Sequence, residues 1–323
     1  MSKYCLVSDF STDVLHNISG ELEIEIKDTK SFVKSSTKYI YPYDILISEL
    51  WVPFAYGTKY GIKAKSKKLF KKSLSIFNGK LRDYQINIKK ETINYLNSNG
   101  SCIISAMAGC GKTCMAIYIA TKIKLKTLII LNRVVLKKQW KEAIEQFTDS
   151  KTQNITSKTT DLKSDCDFYL VNALIVPKLG RELFKYIGFV IVDELHLILA
   201  EKMSNAMKYL IPKYLLGLSA TPYRNDGLNK LIELYFGHNM VKYEVKRNFE
   251  YYKVSTGIQF KCKLNKVGKL DWNHILQQQA EHKGRCELII RIIQNMPTIT
   301  WLIVVKRIIQ GEYIINRLTE AGI

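Results

Sequence analysis

Residues 101–118 read SCIISAMAGCGKTCMAIY, and the fold turns on them. The apolar run 102–104 predicts a buried strand, a loop of small residues follows, and Lys112-Thr113 open a predicted helix. This is the outline of a phosphate-binding loop. Triphosphate oxygens are cradled by backbone N–H groups, so the side chains near them must be small, as Ala106, Ala108, Gly109 and Gly111 are. Met107 and Cys110 complete the loop. Lys112 is placed to reach the β- and γ-phosphates, and the Thr113 hydroxyl to ligate Mg²⁺, so ATP and Mg²⁺ are the expected cofactors. One position departs from G-x-x-x-x-G-K-[ST]: the first residue is Ala106, which demands an ordinary φ where glycine would not. From Gly109 to Thr113 the cradle is complete.

The 323 residues leave room for two domains of ordinary size, and a hydrophobic content of 47% suffices for real cores. Lys and Arg number 49 against 29 Asp and Glu, a net charge of +20 that favours a polyanionic partner such as nucleic acid. Charge alone leaves open a lysine-rich protein with no such partner. Seven cysteines, an odd count without a C-x-x-C pair, argue against a disulfide framework and a zinc site. Cys110 and Cys114, which flank Lys112, read as packing residues. Asp9 and Asp13 interrupt any signal-peptide core, and no apolar run reaches about 18 residues. A soluble intracellular protein with no membrane partner is expected.

Residues 1–78 carry short alternating and aromatic-rich runs, ELEIEIK (21–27) and SFVKSSTKYIYPY (31–43), which predict a small α+β or mostly β module. It ends in a tract of Lys59, Lys63, Lys65, Lys67, Lys68, Lys71, Lys72 and Lys80 with no Asp or Glu between them. The tract suits phosphate-backbone contact or a solvated linker, and Tyr60, Phe70 and Phe77 either stack bases or pack against the next domain. From Leu81 strands and helices alternate, the signal of a doubly wound α/β domain. Helices are predicted at 82–97, 112–123, 133–147 and 199–210, and strands at 101–105, 127–131, 167–171, 188–192 and 214–218. Beyond 240, strand-like basic segments precede a predicted helix over 271–295, a strand over 300–305 and a helix over 307–320.

The run FVIVDELH (189–196) supplies the carboxylates that a phosphate loop needs. A strand ending in Asp193-Glu194 brings both acids to the carboxyl edge of the sheet, where the loop also lies. Asp193 is expected to hold Mg²⁺ directly or through water, and Glu194 to orient and deprotonate the attacking water. His196 is either a packing residue or a sensor of the γ-phosphate region.

LRDYQ (81–85), GKT (111–113), DELH (193–196) and SAT (219–221) occur in the order found in superfamily 2 helicases and translocases, DEAD/H-box motifs included. With LKKQW (136–140) and LGLSATPYRNDGL (216–228), the chain from about residue 78 resembles the XPB-like branch and the poxvirus-type DNA helicases of large DNA viruses. The resemblance implies a RecA-like α/β lobe with a parallel P-loop sheet at 79–243. A small nucleic-acid-binding module at 1–78 would precede it, and a partial second RecA-like lobe at 244–323 would follow. It implies an ATP-dependent helicase acting on DNA rather than RNA, in viral transcription or repair beside transcription machinery, in host cytoplasm and virion.

Residue by residue, the resemblance implies that Gln85 recognises adenine with Arg82 beside it, and that Arg133, Lys137 and Lys138 contact the strand backbone. Ser219 and Thr221 would link nucleotide state to the nucleic-acid groove. The residues by themselves also allow a solvated helix face for the three cations and satisfied turn hydroxyls for the other two. Trp140 reads as core, and Asn172 stands where relatives often carry Thr. TWLIVV (300–305) resembles the family's fourth motif, and nothing beyond it matches the glycine-rich fifth or the arginine-bearing sixth. The expectation is an incomplete second lobe: part of a longer helicase of about 450–520 residues, or a nucleic-acid-binding ATP switch without motor activity.

Overall fold

The computed structural model describes residues 2–26, 38–63, 66–200, 204–223, 228–244 and 250–323. Residue 27, residues 31–37, Lys65, residues 201–203 and residues 224–227, which belong to stretches quoted above, lie outside the described residues. Contacts divide the chain into two units, Met1–Lys246 and Arg247–Ile323.

The first unit opens with β1 (Ser2–Leu6), α1 (Thr12–Glu21), β2 (Ile24–Ile26), β3 (Lys38–Ile40), β4 (Asp44–Leu46), β5 (Glu49–Pro53) and the single turn α2 (Tyr56–Lys59). β5 pairs antiparallel with β1 and β4, and β2 with β3. Ser11 starts α1 by accepting the Val14 N–H, an ordinary N-cap. The module does not keep a separate core: Ile18, Leu22, Val52 and Phe54 share one cluster with Ile103, Leu128 and Phe236 further along.

The chain then runs through α3 (Asp83–Asn99), β6 (Ser101–Ala106), α4 (Lys112–Ile123), β7 (Thr127–Leu131), α5 (Val135–Phe147), β8 (Lys151–Asn154), β9 (Cys166–Asn172), α6 (Val176–Leu179), β10 (Phe189–Asp193), α7 (Leu195–Ile198), β11 (Tyr214–Ser219), α8 (Asn229–Phe236) and β12 (Met240–Tyr243). The seven strands make one sheet in the order β12-β6-β11-β10-β7-β9-β8, every neighbouring pair parallel. Strands covered on both faces must be apolar throughout, which is why 127–131 reads TLIIL and 214–218 reads YLLGL. Alternation then sorts them: Val190 and Val192 enter one core, Phe189 and Ile191 the other.

Prediction and structure part company in places. Where a helix is expected over 199–210, the described residues form a 3-10 helix at Ser204–Tyr209, and the short α7 ends before that range. The second unit begins its helices with α9 (Trp272–Glu281) and α10 (Lys283–Gln294), not one helix over 271–295. His282 separates them, its ring accepting the Arg285 N–H at 3.2 Å as the cap of α10. The strand expected at 300–305 does not form. A strand needs a ladder partner for its backbone groups, and none of the described residues pairs with this segment. α11 (Ile308–Glu320) instead packs Ile314 and Leu318 against Cys286, Ile290 and Ile293 of α10. No helix among the described residues is long and apolar enough to cross a membrane.

Candidate active site

The loop after β6 has the backbone its sequence demands. Gly109 and Gly111 hold φ of +81° and +74°, left-handed values that glycine adopts without strain. At Gly111 any side chain is excluded twice over, because an added Cβ would lie 2.5 Å from Gln85 Nε2. At Gly109 a Cβ would meet nothing within 4 Å, so the loop faces open space. Ala106 ends β6 in register with Tyr243 of β12 and is 2% exposed. A strand position needs no special φ, which is why alanine serves where the pattern has glycine.

Lys112 Nζ donates to the carbonyls of Ala106 at 2.8 Å and Met107 at 3.3 Å. The ammonium is thereby held across the loop by neutral acceptors, which phosphate oxygens can replace with stronger charge-assisted bonds. With α4 offering its free amino-terminal N–H groups and Thr113 in its first turn, this donor set fits a nucleotide triphosphate.

The LRDYQ segment is tied to the loop at one carbonyl. Gln85, 3% exposed, accepts the Arg82 N–H at 2.9 Å and donates through Nε2 to Cys110 O at 3.0 Å. Tyr84 donates to the same carbonyl at 3.2 Å and accepts from Arg82 Nη1 at 3.1 Å. Its ring stacks on Tyr243, centroids 4.7 Å apart. Gln85 thus supports the loop, with one amide hydrogen and one lone pair left over.

Asp193 and Glu194 emerge from β10 beside this loop, with β11 between β10 and β6. Asp193 accepts from Trp140 Nε1 at 2.8 Å and from the Glu194 backbone N–H at 3.0 Å. Burial pushes its carboxyl above the usual range; the Trp140 hydrogen bond opposes that shift, and Glu194 adds to it. Trp140 is 1% exposed and so is core as expected, yet its N–H meets Asp193, a contact that the sequence reading missed. The available signal was chemical: a buried indole N–H must find an acceptor. Glu194 adopts φ 48°, ψ 54°, left-handed for a residue with a Cβ. Such strain, about 1–3 kcal/mol, persists only where surroundings impose it; here the Glu194 carbonyl accepts the Leu197 N–H at 2.8 Å and so fixes the start of α7.

His196 joins two motifs. Its Nδ1 lies 2.9 Å from Ser219 Oγ and 3.5 Å from Glu194 Oε2. Ser219, wholly buried at the end of β11, also accepts the Thr221 N–H at 3.0 Å. The structure therefore brings together Lys112, Thr113, Asp193, Glu194, His196, Ser219 and Thr221 around the carboxyl edge of the sheet.

The expected nucleic-acid contacts divide. Arg133 and Lys138 are exposed, Lys138 lying 3.8 Å from Glu142. Lys137 corrects the expectation for its position: it is 8% exposed, donates to Ile155 O at 2.7 Å, and burial lowers its pKa. Helical spacing puts it on the face of Trp140 and Ile144, the buried face of α5. Asn172 accepts the Leu174 N–H at 3.0 Å and donates to Asn132 O at 3.1 Å. The aromatic residues of the lysine tract pack: Phe70 is buried, Phe77 stacks on Phe147 at 5.7 Å, and Tyr60 lies 5.3 Å from Tyr56.

A parallel sheet bearing a phosphate loop and an acid pair at one edge defines a RecA-like P-loop lobe. Residues 78–224 match the family described as Type III restriction enzyme, res subunit. The chain is 39% identical over 282 residues to 161L of Invertebrate iridescent virus 6, named as a helicase, covering 85% of this chain and 64% of that one. It is 35% identical over 237 residues to 109L of Invertebrate iridescent virus 3, also named as a helicase, covering 68% and 72%. Against the DNA 3'-5' translocase XPB2 of Sulfurisphaera tokodaii it is 31% identical over 157 residues, 49% and 34% of the two chains. The chain belongs to the superfamily 2 helicases of the XPB-like and large-DNA-virus type. It spans 64% of the length of 161L.

Proposed function

We propose that this chain hydrolyses ATP to move along DNA, with Mg-ATP at residues 106–113 and the acid pair of β10 as the hydrolytic apparatus. The observation that carries the reading is the unbroken succession Glu194–His196–Ser219–Thr221, which couples the end of the nucleotide site to the segment leaving β11. Lys112 exchanges its carbonyl acceptors for phosphate oxygens. Thr113 and Asp193 would hold Mg²⁺, which when bound neutralises triphosphate charge. Trp140 keeps the Asp193 carboxylate aimed and opposes the rise that burial gives its pKa. Glu194 orients a water and takes its proton, His196 feels the change through its contact with Glu194, and Ser219 passes it to Thr221. Arg82 and Gln85 would border the adenine, and Arg133 and Lys138 would hold strand phosphates.

DNA as the track draws on the relative named a DNA translocase, and a part in viral transcription or repair on the viral relatives. The test is ATP hydrolysis by this chain with and without single-stranded and duplex DNA and RNA, beside Lys112→Ala and Glu194→Gln. Turnover stimulated by DNA and lost in both variants is expected. Turnover indifferent to Lys112→Ala would remove the site assignment, stimulation by RNA alone would remove the DNA track, and ATP binding without turnover would favour a switch.

A further inference from the structure

The amino-terminal edge of the sheet, opposite the nucleotide site, carries a cleft of about 430 Å³ whose lining includes Lys3, Lys63, Lys213, Phe54 and Tyr214 and no carboxylate. It opens beside Gly100 and Tyr214, where β6 and β11 begin, whereas the phosphate loop follows the other end of β6. A six-residue strand puts the two sites about 16 Å apart along the sheet.

The lysines there are crowded, and among the described residues no carboxylate pairs with Lys3, Lys67 or Lys213. Lys67 and Lys213 flank Tyr214, each ammonium 5.8 Å from the ring centroid. Lys3 is 7% exposed, donates to Thr58 Oγ1 at 2.7 Å and lies 5.1 Å from the Phe54 ring centroid. Burial and then Lys213 push its pKa down to about 8. Burial, Lys124 and Lys213 lower that of Lys67. Of the other buried lysines of this unit, Lys126 is paired with Asp167 at 3.0 Å, and Lys137 gives its ammonium to the Ile155 carbonyl at 2.7 Å. A buried cation without a counter-charge is costly even when it keeps a neutral acceptor, and an anion from outside the chain lowers the cost.

We propose that this basic cleft is a second nucleic-acid contact, which grips phosphodiester backbone on the side of the lobe opposite the nucleotide. The proposal rests on the reading of the chain as a nucleic-acid motor and adds where else the track is held. The charge extends past the cleft to Lys71, 5.3 Å from the Tyr186 ring centroid; Lys185, on the same ring at 5.1 Å, is offset by Glu182 at 2.6 Å. A row of charges suits a polymer better than one phosphate group. Lysines, as compact point charges without a bidentate fork, suit a contact indifferent to base sequence.

The test is fluorescence anisotropy of a labelled random-sequence duplex against salt, for the full chain and for the triple variant Lys63→Gln, Lys67→Gln, Lys213→Gln. Lys63 and Lys67 are exposed and Lys213 half-buried, and binding of a fluorescent ATP analogue reports that the variant is folded. The expected result is a log–log salt slope lower by about 2–3, at about 0.9 per phosphate contact, with nucleotide binding unchanged. Binding with an unaltered slope would overturn this inference and leave the motor reading standing. A wild-type chain that binds no nucleic acid would overturn both. Inorganic phosphate that raises the melting temperature of the wild type but not of the variant, with the slope unaltered, would assign the cleft to a free anion and overturn the backbone contact.

Discussion

His196 Nδ1 lies 2.9 Å from the hydroxyl of Ser219, so α7, which follows β10, and the end of β11 share a side-chain contact across 23 residues of sequence. If this contact transmits nucleotide state, its removal should spare basal chemistry and damage coupling. Ser219→Ala is expected to change basal ATP turnover little and to reduce DNA stimulation about tenfold, near the lower end of ordinary coupling free energies. His196→Ala and the double variant should lose no more stimulation than either alone, because they cut the same link. Additive losses in steady-state kinetics would show two independent routes.

Glu194 holds a left-handed backbone at φ 48°. Glu194→Gln should lower kcat by about 10²–10⁴ with little change in stability, the ordinary loss of a general base. Glu194→Gly should be equally inactive and more stable than Glu194→Gln by about 1 kcal/mol, since glycine accepts that conformation without strain. Urea unfolding of the two variants decides the matter. Equal midpoints would mean that no strain is stored there.

Asp193 carries a carboxyl that burial raises above the usual range. The folded state then binds a proton more readily than the unfolded one, so this group favours folding at low pH and loses that contribution as pH rises through its folded pKa. Asp193→Asn should therefore raise the melting temperature at neutral pH, with the gain vanishing in acid, while hydrolysis is lost. Trp140→Phe removes the donor to Oδ2 and should cost about 1–3 kcal/mol. It should also raise the Asp193 pKa further, which moves the acid limb of the kcat profile upward.

Lys3 gives the opposite slope. Its pKa is about 8 in the folded chain against 10.5 ordinarily. Folding thus expels a proton between those values, so stability is lowest below about pH 8 and rises toward 10.5. Lys3→Met keeps the apolar stem and removes the charge. It should melt higher than wild type at pH 7, with the difference shrinking above pH 8. A constant offset across pH would point to the lost Thr58 hydrogen bond or to packing instead.

The sheet was largely legible because a parallel strand covered on both faces must be apolar in its middle, and 102–104, 128–131 and 189–192 show this directly. The edge strand β8 was not, since KTQN is polar and only partly covered. Helix α8, NKLIELYF, is eight residues long and falls below what periodicity resolves. At the site, glycine and charge placement announced the loop and the acids. The Trp140–Asp193 bond was hidden because it spans 53 residues. The strain at Glu194 was hidden because no residue type at that position signals a positive φ. Lys137 misled for a simpler reason, as lysine is so seldom buried that a charge is read as solvated.

That last residue gives a sharp comparison with its neighbours on α5. Arg133 and Lys138 are exposed, so Arg133→Gln and Lys138→Gln should each weaken duplex binding and lower the salt slope by about one. Lys137 already spends its ammonium on Ile155 O within the fold. Lys137→Met should leave the slope unchanged, whatever it does to stability, because no counterion is released from an amine that never meets phosphate. A fall of about one for Lys137→Met, measured in the same titration, would mean that the ammonium leaves Ile155 when nucleic acid binds. The buried hydrogen bond would then be one of two positions of a moving side chain.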